Sequence, residues 1–437
     1  MLPVDRLDAE PAGATPGAAS IGAPAVPAPP RITLPRGAAR AAARARAAPT
    51  GLLGPAYAEL AFFLLFPGFF AYQTLLGLGV IRAYLGGYFA IVALLMFPML
   101  LLSYLRRLHA QAFRLHGVDA AFLGFLAYFA AVIACNAASA NLSIIAYHVL
   151  GMVYMLSLFI IFKTLDFQGR RFRLTHLTSL AAMSAVVFIF SVDGAFYLAA
   201  LGAARDPDSV ATYQGFSRSY LVPLVVMLAC TRQRGMRWAL YALGLPTLYI
   251  NTARSEFGAL LFLIPLIEFH ASRHRMAMVA AFLLLFLLLK FNLDAIIAAV
   301  PSNRTLELLD LSSSSSASAR NHLTEQALHT IDLHPILGDY ASYPPGNYAH
   351  NILSAWVDLG LFGFLGLLTL LTYPLAQMAV HGYLLGGRAS RDQRFVLAWS
   401  LLGVTLLLLC MSHYFSDMMI GAALGAYARY RSGGRDA

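Results

Sequence analysis

The segment YAHNILSAWVDLGLFGFLGLL, residues 348–368, places polar side chains at the head of an otherwise apolar stretch. His350 is followed by Asn351, and Asp358 lies two helical turns further on, about 12 Å along a helix axis. An imidazole with a pKa near 6.5 can accept a proton from a hydroxyl group at neutral pH. The sequence therefore marks His350 as a candidate general base, and a purely structural role for this histidine stays open.

The other polar residues of the segment have a binding interpretation and a structural one. Asn351 is typical of a helix N-cap. A carboxylate at the depth of Asp358 usually faces other helices or a wet cavity, so it would support a site from behind or pair with an arginine on another span. Ser354 and Asp358 follow His350 at four-residue spacing, which predicts one shared helix face. Tyr348, Asn351 and Asp358 are accordingly candidate substrate-binding residues.

Several arginines supply a second kind of chemistry. A guanidinium group stays charged at any working pH, and its planar fork of donors fits phosphate oxygens. The arginines that the topology places on the outer side of the membrane include Arg205, Arg218, Arg254 and Arg320. Asp206 and Asp208 would neutralise Arg205 locally, whereas Arg218 has no such neighbour in sequence.

Together, these residue types describe a glycosyl transfer. A sugar hydroxyl would attack an anomeric carbon, His350 would take the proton, and the arginines on the outer side would hold a departing lipid pyrophosphate. Arg205 and Arg218 would add substrate contacts. This chemistry needs neither a metal ion nor a cofactor.

The composition shows which kind of protein must position these residues. The chain has 437 residues, of which 59% are hydrophobic and 12% charged, and this excludes an ordinary soluble domain. Apolar runs long enough to cross a hydrocarbon core of about 30 Å recur from Tyr57 onward. The sequence therefore predicts an all-α integral membrane protein with about 12 transmembrane helices within residues 56–430.

The positive charge indicates the orientation of these helices. Most of the 31 Lys and Arg residues fall in the N-terminal arm, in alternate loops and in the C-terminal tail, which predicts that both termini are cytoplasmic. The net charge of +10 is explained in this way, so it does not indicate nucleic-acid binding. The cations outside this pattern are Arg82, Arg205, Arg218, Arg254, Lys290, Arg304 and Arg320.

The segments outside the spans differ in character. Residues 1–55 predict a disordered, basic cytoplasmic arm, and residues 431–437 a cytoplasmic tail. Two large outer loops are predicted at 199–218 and 298–349. Within the second loop, LTEQALHTIDLHPILG predicts a short helix that ends before Pro335.

Small residues within the late spans predict close helix packing. Gly360, Gly363 and Gly366 would leave a smooth strip on one helix, and GAALG, which begins at Gly421, would do the same in the last span. We interpret these glycines as packing residues.

Three segments together resemble the superfamily of O-antigen ligases and Wzy-type polysaccharide polymerases of bacterial inner membranes. YAHNILSAWVDLGLFGFL is similar to the family's His-Asn segment at the start of a late span, and SARNHLTEQALHTIDLHPILGDY to the loop pattern that leads into it. NTARSEFGALLF is similar to a Ser-Arg-Gly break between central spans, from which it departs at Ala253, Ser255 and Glu256. Asp358 stands where glutamate is more usual in the family.

The resemblance implies a multi-span fold of the C-type glycosyltransferase arrangement in a bacterial inner membrane. It implies an undecaprenyl-pyrophosphate-linked oligosaccharide as donor, His350 as base or acceptor-orienting group, and Arg254 and Arg320 as pyrophosphate contacts. Membrane lipids would surround the protein, and a flippase and a chain-length regulator of the same pathway would be its partners. Arg218 is a candidate by position and charge alone.

Several functions remain open at this point. The leading hypothesis is a polymerase that joins lipid-linked repeat units of an exopolysaccharide, capsule or O-antigen, and the alternative from the same class is a ligase that transfers the glycan to lipid A core. A polysaccharide transporter or flippase would show internal repeats and ionisable groups near mid-membrane. A non-catalytic assembly partner would tolerate the loss of His350 and Arg320.

Overall fold

A computed structural model of the chain describes residues 53–82, 87–110, 115, 117–192, 194–196, 213–272, 274–292, 295, 315–384 and 392–433. The predicted arm at 1–55 lies outside these residues except for its last positions, which begin the first helix. The loop at 199–218 is described from residue 213, the loop at 298–349 from residue 315, and the tail at 431–437 up to residue 433.

The described residues are helical almost throughout. The helices, in chain order, are α1 (Leu53–Phe63), α2 (Phe69–Gly77), α3 (Tyr88–Ala110), α4 (Gly117–Asn136), α5 (Leu142–Thr164), α6 (Arg170–Ile189), α7 (Tyr213–Ala229), α8 (Arg234–Ile250), α9 (Arg254–Ala271), α10 (Arg275–Phe291), α11 (Ser315–Leu333), α12 (Leu353–Ala379), α13 (Gln393–Met411) and α14 (Met419–Gly433). π-helical turns at Leu64–Gly68 and Val380–Leu384 join α1 to α2 and extend α12. Two short antiparallel strands, β1 (Ser191–Val192) and β2 (Ala195–Phe196), form a hairpin after α6.

Seven helical stretches are long and apolar enough to cross a membrane. They are Gly54–Gly77, Tyr88–Ala110, Gly117–Asn136, Leu142–Thr164, Arg170–Ile189, Leu353–Leu384 and Gln393–Met411. The prediction of an all-α, multi-pass membrane protein is therefore confirmed, and seven of the predicted spans are confirmed with it.

The remaining predicted spans coincide with shorter helices. Four of them, α7, α8, α10 and α14, have 15 to 17 residues. The fifth, α9, has 18 residues but carries Arg254, Glu256 and Glu268. These helices lie where the sequence predicts spans. Each is, however, too short or carries too many charged residues to meet the length and composition criteria that the other seven helices satisfy.

The predicted close packing of the last span is confirmed. α14 lies against α5 so closely that a Cβ atom at Gly421 would overlap the carbonyl oxygen of Met155. A Cβ atom at Gly425 would likewise meet the carbonyl oxygen of Phe159. The two backbones touch along this seam because the glycines have no side chains, as in small-residue contacts between membrane helices.

Gly360 differs from its predicted role. It has φ 68° and ψ −173°, so α12 is broken there into two helical pieces. This combination of angles is almost restricted to glycine. The close neighbour at Gly360 is the chain around Ile336 and Leu337, and not another helix as predicted. Gly363 does pack closely, since its Cβ would lie 3.1 Å from the ring of Tyr128.

The predicted helix in the second large loop is confirmed. α11 ends at Leu333, two residues before Pro335. It packs on the first piece of α12 through a small apolar cluster that includes Ala327, Ile331 and Val357. This contact attaches the loop to the span that follows it.

Candidate functional site

The segment that carries His350 is fixed between α11 and α12. The side-chain oxygen of Asn351 accepts a hydrogen bond from the backbone N–H of Leu353 at 3.0 Å, so Asn351 caps α12 as its residue type predicts. Its side-chain nitrogen donates to the hydroxyl of Thr324 on α11 at 3.2 Å. Both ends of the Asn351 amide are thus engaged within the protein, and the residue positions its neighbour His350.

The imidazole of His350 is half-buried and open to a ligand. Its ring contacts Tyr348 at a centroid distance of 4.7 Å. Within the described residues its nitrogens make no hydrogen bond. Burial, the charge of Arg320 and the nearby His413 together lower the pKa of His350 below its usual value. The ring is therefore neutral at neutral pH, which is the form that a general base needs.

Arg320 lies on α11 close enough for its charge to act on both His350 and Tyr348. It is half-buried. Its backbone carbonyl accepts a hydrogen bond from Thr324, the same residue that holds Asn351. The structure therefore brings together two of the residues that the sequence predicted as catalytic, His350 and Arg320.

Arg218 has the acidic partners that its sequence neighbourhood lacks. Its Nη1 lies 2.9 Å from Asp417 and its Nη2 lies 3.8 Å from Glu256. Nη2 also lies 3.0 and 3.1 Å from the two ring nitrogens of His413. The acidic partners that the local sequence does not supply thus come from distant segments, because two nearly buried carboxylates from other elements share this guanidinium.

The turn at residues 412–418, between α13 and α14, supplies most of these partners. Asp417 accepts a hydrogen bond from the backbone N–H of Met419 at 2.8 Å and thereby caps α14. Its other oxygen lies 3.0 Å from Nδ1 of His413. Although burial opposes its charge, Arg218 and His413 lower the pKa of Asp417 well below its usual value.

The same turn favours the protonated form of His413. Burial and Arg218 disfavour the charge on its ring, but Asp417 and Glu256 outweigh them and raise the pKa of His413. With His413 protonated, two positive groups face two carboxylates, so the cluster is balanced. A nearly balanced set of charges is what an apolar bundle tolerates.

The two remaining arginine candidates are Arg254 and Arg205. Arg254 begins α9, is half-buried and lies two residues before Glu256, the partner of Arg218. The break before α9 is held by a hydrogen bond of 2.7 Å from Asn251 to Ser217 on α7. Arg205 lies outside the described residues.

Asp358 lies in a buried set of hydrogen bonds rather than beside an arginine. Its Oδ1 accepts the backbone N–H of Ala341 at 2.9 Å, and its Oδ2 accepts the hydroxyls of Tyr343, at 3.0 Å, and of Tyr414. The side chain is fully buried. Among the described residues no Lys or Arg forms an ion pair with it, so Asp358 supports the site and has no surface with which to bind substrate.

Two further contacts extend this network. Tyr414 also lies 2.7 Å from Nε2 of His148 on α5, whose Nδ1 lies 2.8 Å from the hydroxyl of Tyr340. Ser354 accepts the backbone N–H of Phe415 at 3.1 Å. Ser354 and Asp358 therefore share a face as predicted, and this face holds the 412–418 turn. His350 precedes α12 and does not belong to that helical face.

Further aromatic rings pack around Tyr348, the ring that contacts His350. Tyr348 contacts Tyr414 at a centroid distance of 4.5 Å and Tyr343 at 6.3 Å. Tyr147, on α5, contacts Tyr414 at 6.0 Å and is 50% exposed. Tyr348, a predicted substrate-binding residue, is thus half-buried among rings next to His350.

The functional residues that the sequence did not indicate come mainly from SHYFSD, residues 412–417. This polar run between two apolar spans carries His413, Tyr414 and Asp417. A run of ionisable residues in a tight turn on the predicted outer side is the signal that would have marked it. His148 carries no such signal, because it stands alone within an apolar helix.

The site as a whole combines a neutral, accessible imidazole with a nearby guanidinium and a buried, balanced charge cluster. Such a set can accept a proton and stabilise an anion. Among the described residues, no group of His, Cys, Asp and Glu side chains converges in a way that would hold a metal ion. The chain is a helical, multi-pass membrane protein with this polar site where the first turns of α7, α9 and α12 meet the 412–418 turn.

No protein-family model matches the chain, and no curated protein matches its sequence.

Proposed function

We propose that this protein is a membrane glycosyltransferase that polymerises lipid-linked oligosaccharide repeat units of an exopolysaccharide, capsule or O-antigen. The observation that carries the proposal is the pair formed by His350 and Arg320. The imidazole is neutral and free of hydrogen bonds within the described residues, and a guanidinium acts on it from α11. A base next to an anion-binding group is what transfer from a lipid pyrophosphate requires.

The proposed topology adds further spans to the seven that are confirmed. We infer that α7, α8, α9, α10 and α14 also cross the membrane, because helices of 15 to 18 residues are about 23 to 27 Å long. About 12 spans of the C-type glycosyltransferase arrangement result, with both termini in the cytoplasm of a bacterial cell. The His350 end of the bundle then faces the periplasm.

The proposed chemical step assigns a role to each of these residues. An acceptor sugar hydroxyl attacks the anomeric carbon of the donor, and His350 takes the hydroxyl proton as the new C–O bond forms. The bond from the anomeric carbon to the pyrophosphate oxygen breaks, and undecaprenyl pyrophosphate leaves with the electron pair. Arg320 contacts the departing phosphates, and Arg254 joins it in this role.

Arg218 has a positioning role in this mechanism. Because Asp417 and Glu256 already share its charge, its main effect is to hold the first turns of α7 and α9 and the 412–418 turn together. Asn351 and Asp358 position His350 and the same turn. Tyr348 lies beside His350, where it can contact the sugar of either substrate.

The experiment compares a deletion strain complemented with the wild type, His350→Ala or His329→Ala. His329 is an exposed histidine on α11 and serves as the matched control. Loss of the base should lower the transfer rate by about 100-fold or more, whereas the control should restore normal polysaccharide. Lipid-linked glycans are then analysed by chain length.

The accumulated product distinguishes the functions. Single repeat units on the lipid carrier support the polymerase, and full-length chains on the carrier support the alternative of a ligase that acts on lipid A core. Normal surface polysaccharide with His350→Ala contradicts a catalytic His350. Lipid-linked units that remain on the cytoplasmic side would instead indicate a transporter or flippase.

A further inference from the structure

After α11 the chain forms a turn that packs against the break in α12. The backbone N–H of Leu361 donates to the carbonyl of Ile336 at 3.0 Å, and that of Asp339 donates to the carbonyl of Val357 at 2.7 Å. Gly338 has φ 72° and lies against the backbone of Val357. The turn at residues 334–338 is thus fixed at the level of Gly360.

The depth of this turn in the membrane follows from the contact between α4 and the break in α12. With 20 residues, α4 is about 30 Å long, which is the thickness of the hydrocarbon core. The hydroxyl of Tyr128 donates to the carbonyl of Leu359 at 2.8 Å. Tyr128 lies eight residues before Asn136, the last residue of α4, and therefore about 12 Å along the helix axis from that end. The break in α12 is consequently well inside the bilayer.

A second helix gives a consistent depth. The hydroxyl of Tyr340, just beyond the turn, lies 2.8 Å from His148 on α5. His148 is six residues from Leu142, where α5 begins, and so about 9 Å below that end. The chain therefore descends along α11, turns near Leu337 and climbs back through Tyr340 towards His350.

The outer side of the turn is apolar and unpacked. Leu337 is 77% exposed, Leu333 63% and Ile336 57%. Phe362, which follows the hydrogen-bonded Leu361 on the lipid-facing side of α12, is 63% exposed. Leaving such side chains in water would forgo about 1.5–3 kcal/mol each compared with burial, and lipid tails remove this cost.

Several backbone groups of the turn find partners within the protein. The carbonyl of Pro335 accepts the indole N–H of Trp356 at 2.7 Å, and the carbonyl of His334 accepts the N–H of Gly338 at 3.0 Å. Non-helical backbone is tolerated at membrane depth when its polar groups find protein partners. Asp332 and His334 are exposed and lie on the side of the tip that leads back to α11.

We propose that the segment from Leu333 to Leu337 is a re-entrant element whose apolar tip inserts into the bilayer and contacts lipid acyl chains. The second large loop is thus partly a membrane-inserted hairpin and not an aqueous loop. Its insertion sets the depth of the irregular segment that carries Tyr348 and His350. The proposal concerns the bilayer alone and holds whether or not the chain transfers sugars.

The test attaches a nitroxide spin label to Leu337→Cys in bilayers of phosphatidylethanolamine and phosphatidylglycerol. The exposed Cys135 and Cys410 are replaced by alanine, and the buried Cys230 stays. Collision rates are measured with oxygen, which concentrates in lipid, and with a water-soluble nickel complex. Phe362→Cys is the lipid-facing reference, and Glu325→Cys, exposed on α11 about 12 Å before Leu333, is the aqueous one.

We expect the oxygen-to-nickel ratio at Leu337→Cys to match that at Phe362→Cys and to exceed that at Glu325→Cys several-fold. A ratio equal to that at Glu325→Cys overturns the proposal. Ile336→Cys repeats the measurement at a neighbouring position. If either label disturbs folding, Leu337→Trp replaces it: quenching by lipids brominated in their acyl chains supports insertion, and quenching by aqueous acrylamide alone refutes it.

Discussion

Tyr414 donates its hydroxyl hydrogen to the buried carboxylate of Asp358, and this contact joins the turn at 412–418 to the first piece of α12. The same turn carries His413 and Asp417, which enclose Arg218. Through Asp358, the helix behind His350 is thus connected with the charge cluster beside it. Asp358 is a positioning residue whose partners are two hydroxyl groups and a backbone N–H group.

The Asp358–Tyr414 contact predicts coupled stability losses. Asp358→Asn and Tyr414→Phe should each lower the free energy of unfolding by about 1–3 kcal/mol, because each leaves a buried polar partner unsatisfied. Their combination should cost less than the sum, by a coupling energy of about 0.5–3 kcal/mol. Unfolding in detergent micelles measures both quantities. Thr372→Val, further along α12, is the control, and its effect should add to that of Asp358→Asn. Full additivity for Tyr414→Phe would show that the contact contributes nothing.

The shared charge of Arg218 predicts a large loss of stability on its removal. Arg218→Ala would leave Asp417 and Glu256 as nearly buried carboxylates that only His413 offsets, which should cost about 3–5 kcal/mol. Lys290→Ala removes an exposed positive charge from α10 and should change the stability by less than about 0.5 kcal/mol. Thermal unfolding in micelles compares the two variants. Equal melting temperatures would mean that the cluster does not hold the bundle end.

The break in α12 predicts a contrast between two glycines. Gly360→Ala places a Cβ at positive φ and against the backbone of Ile336, so it should cost about 2–5 kcal/mol. Gly366→Ala lies in regular helix, where the new Cβ would make an ordinary contact of 3.8 Å with Phe125, and should be neutral or slightly stabilising. Denaturation in micelles provides the comparison. A stable Gly360→Ala protein would argue that α12 is continuous.

The lowered pKa of His350 predicts the position of the acid limb of the activity profile. A group whose pKa is lowered stays neutral to a lower pH, so kcat/KM for transfer should fall only below pH 6.5, about the pKa of free histidine. Arg320→Gln removes one cause of the shift and should move the limb upward, towards but not beyond that value, because burial remains. Arg320→Lys keeps the charge and should leave the limb in place. An unchanged acid limb in Arg320→Gln would show that the charge of Arg320 does not influence the pKa of His350.

The sequence by itself determined the class of this protein. Backbone groups that cross a membrane must be satisfied internally, so seven helical spans followed from the long apolar runs of a chain with 59% hydrophobic residues. The helix before Pro335 was also predictable from the local sequence. The His-Asn segment, the cap at Asn351 and the small-residue seam of α14 are local patterns and were predictable for the same reason.

Only the tertiary structure decided the partners of the charged and polar groups. Arg218 and His413 are 195 residues apart in the chain, and Asp358 and Tyr414 are 56 apart. No local pattern encodes such contacts, because they depend on which helix ends meet when the bundle packs. The break at Gly360 likewise depends on a turn that returns from α11. The residue types indicate the candidate proton-accepting and anion-binding groups. The packing of distant segments decides which of these residues lie close together.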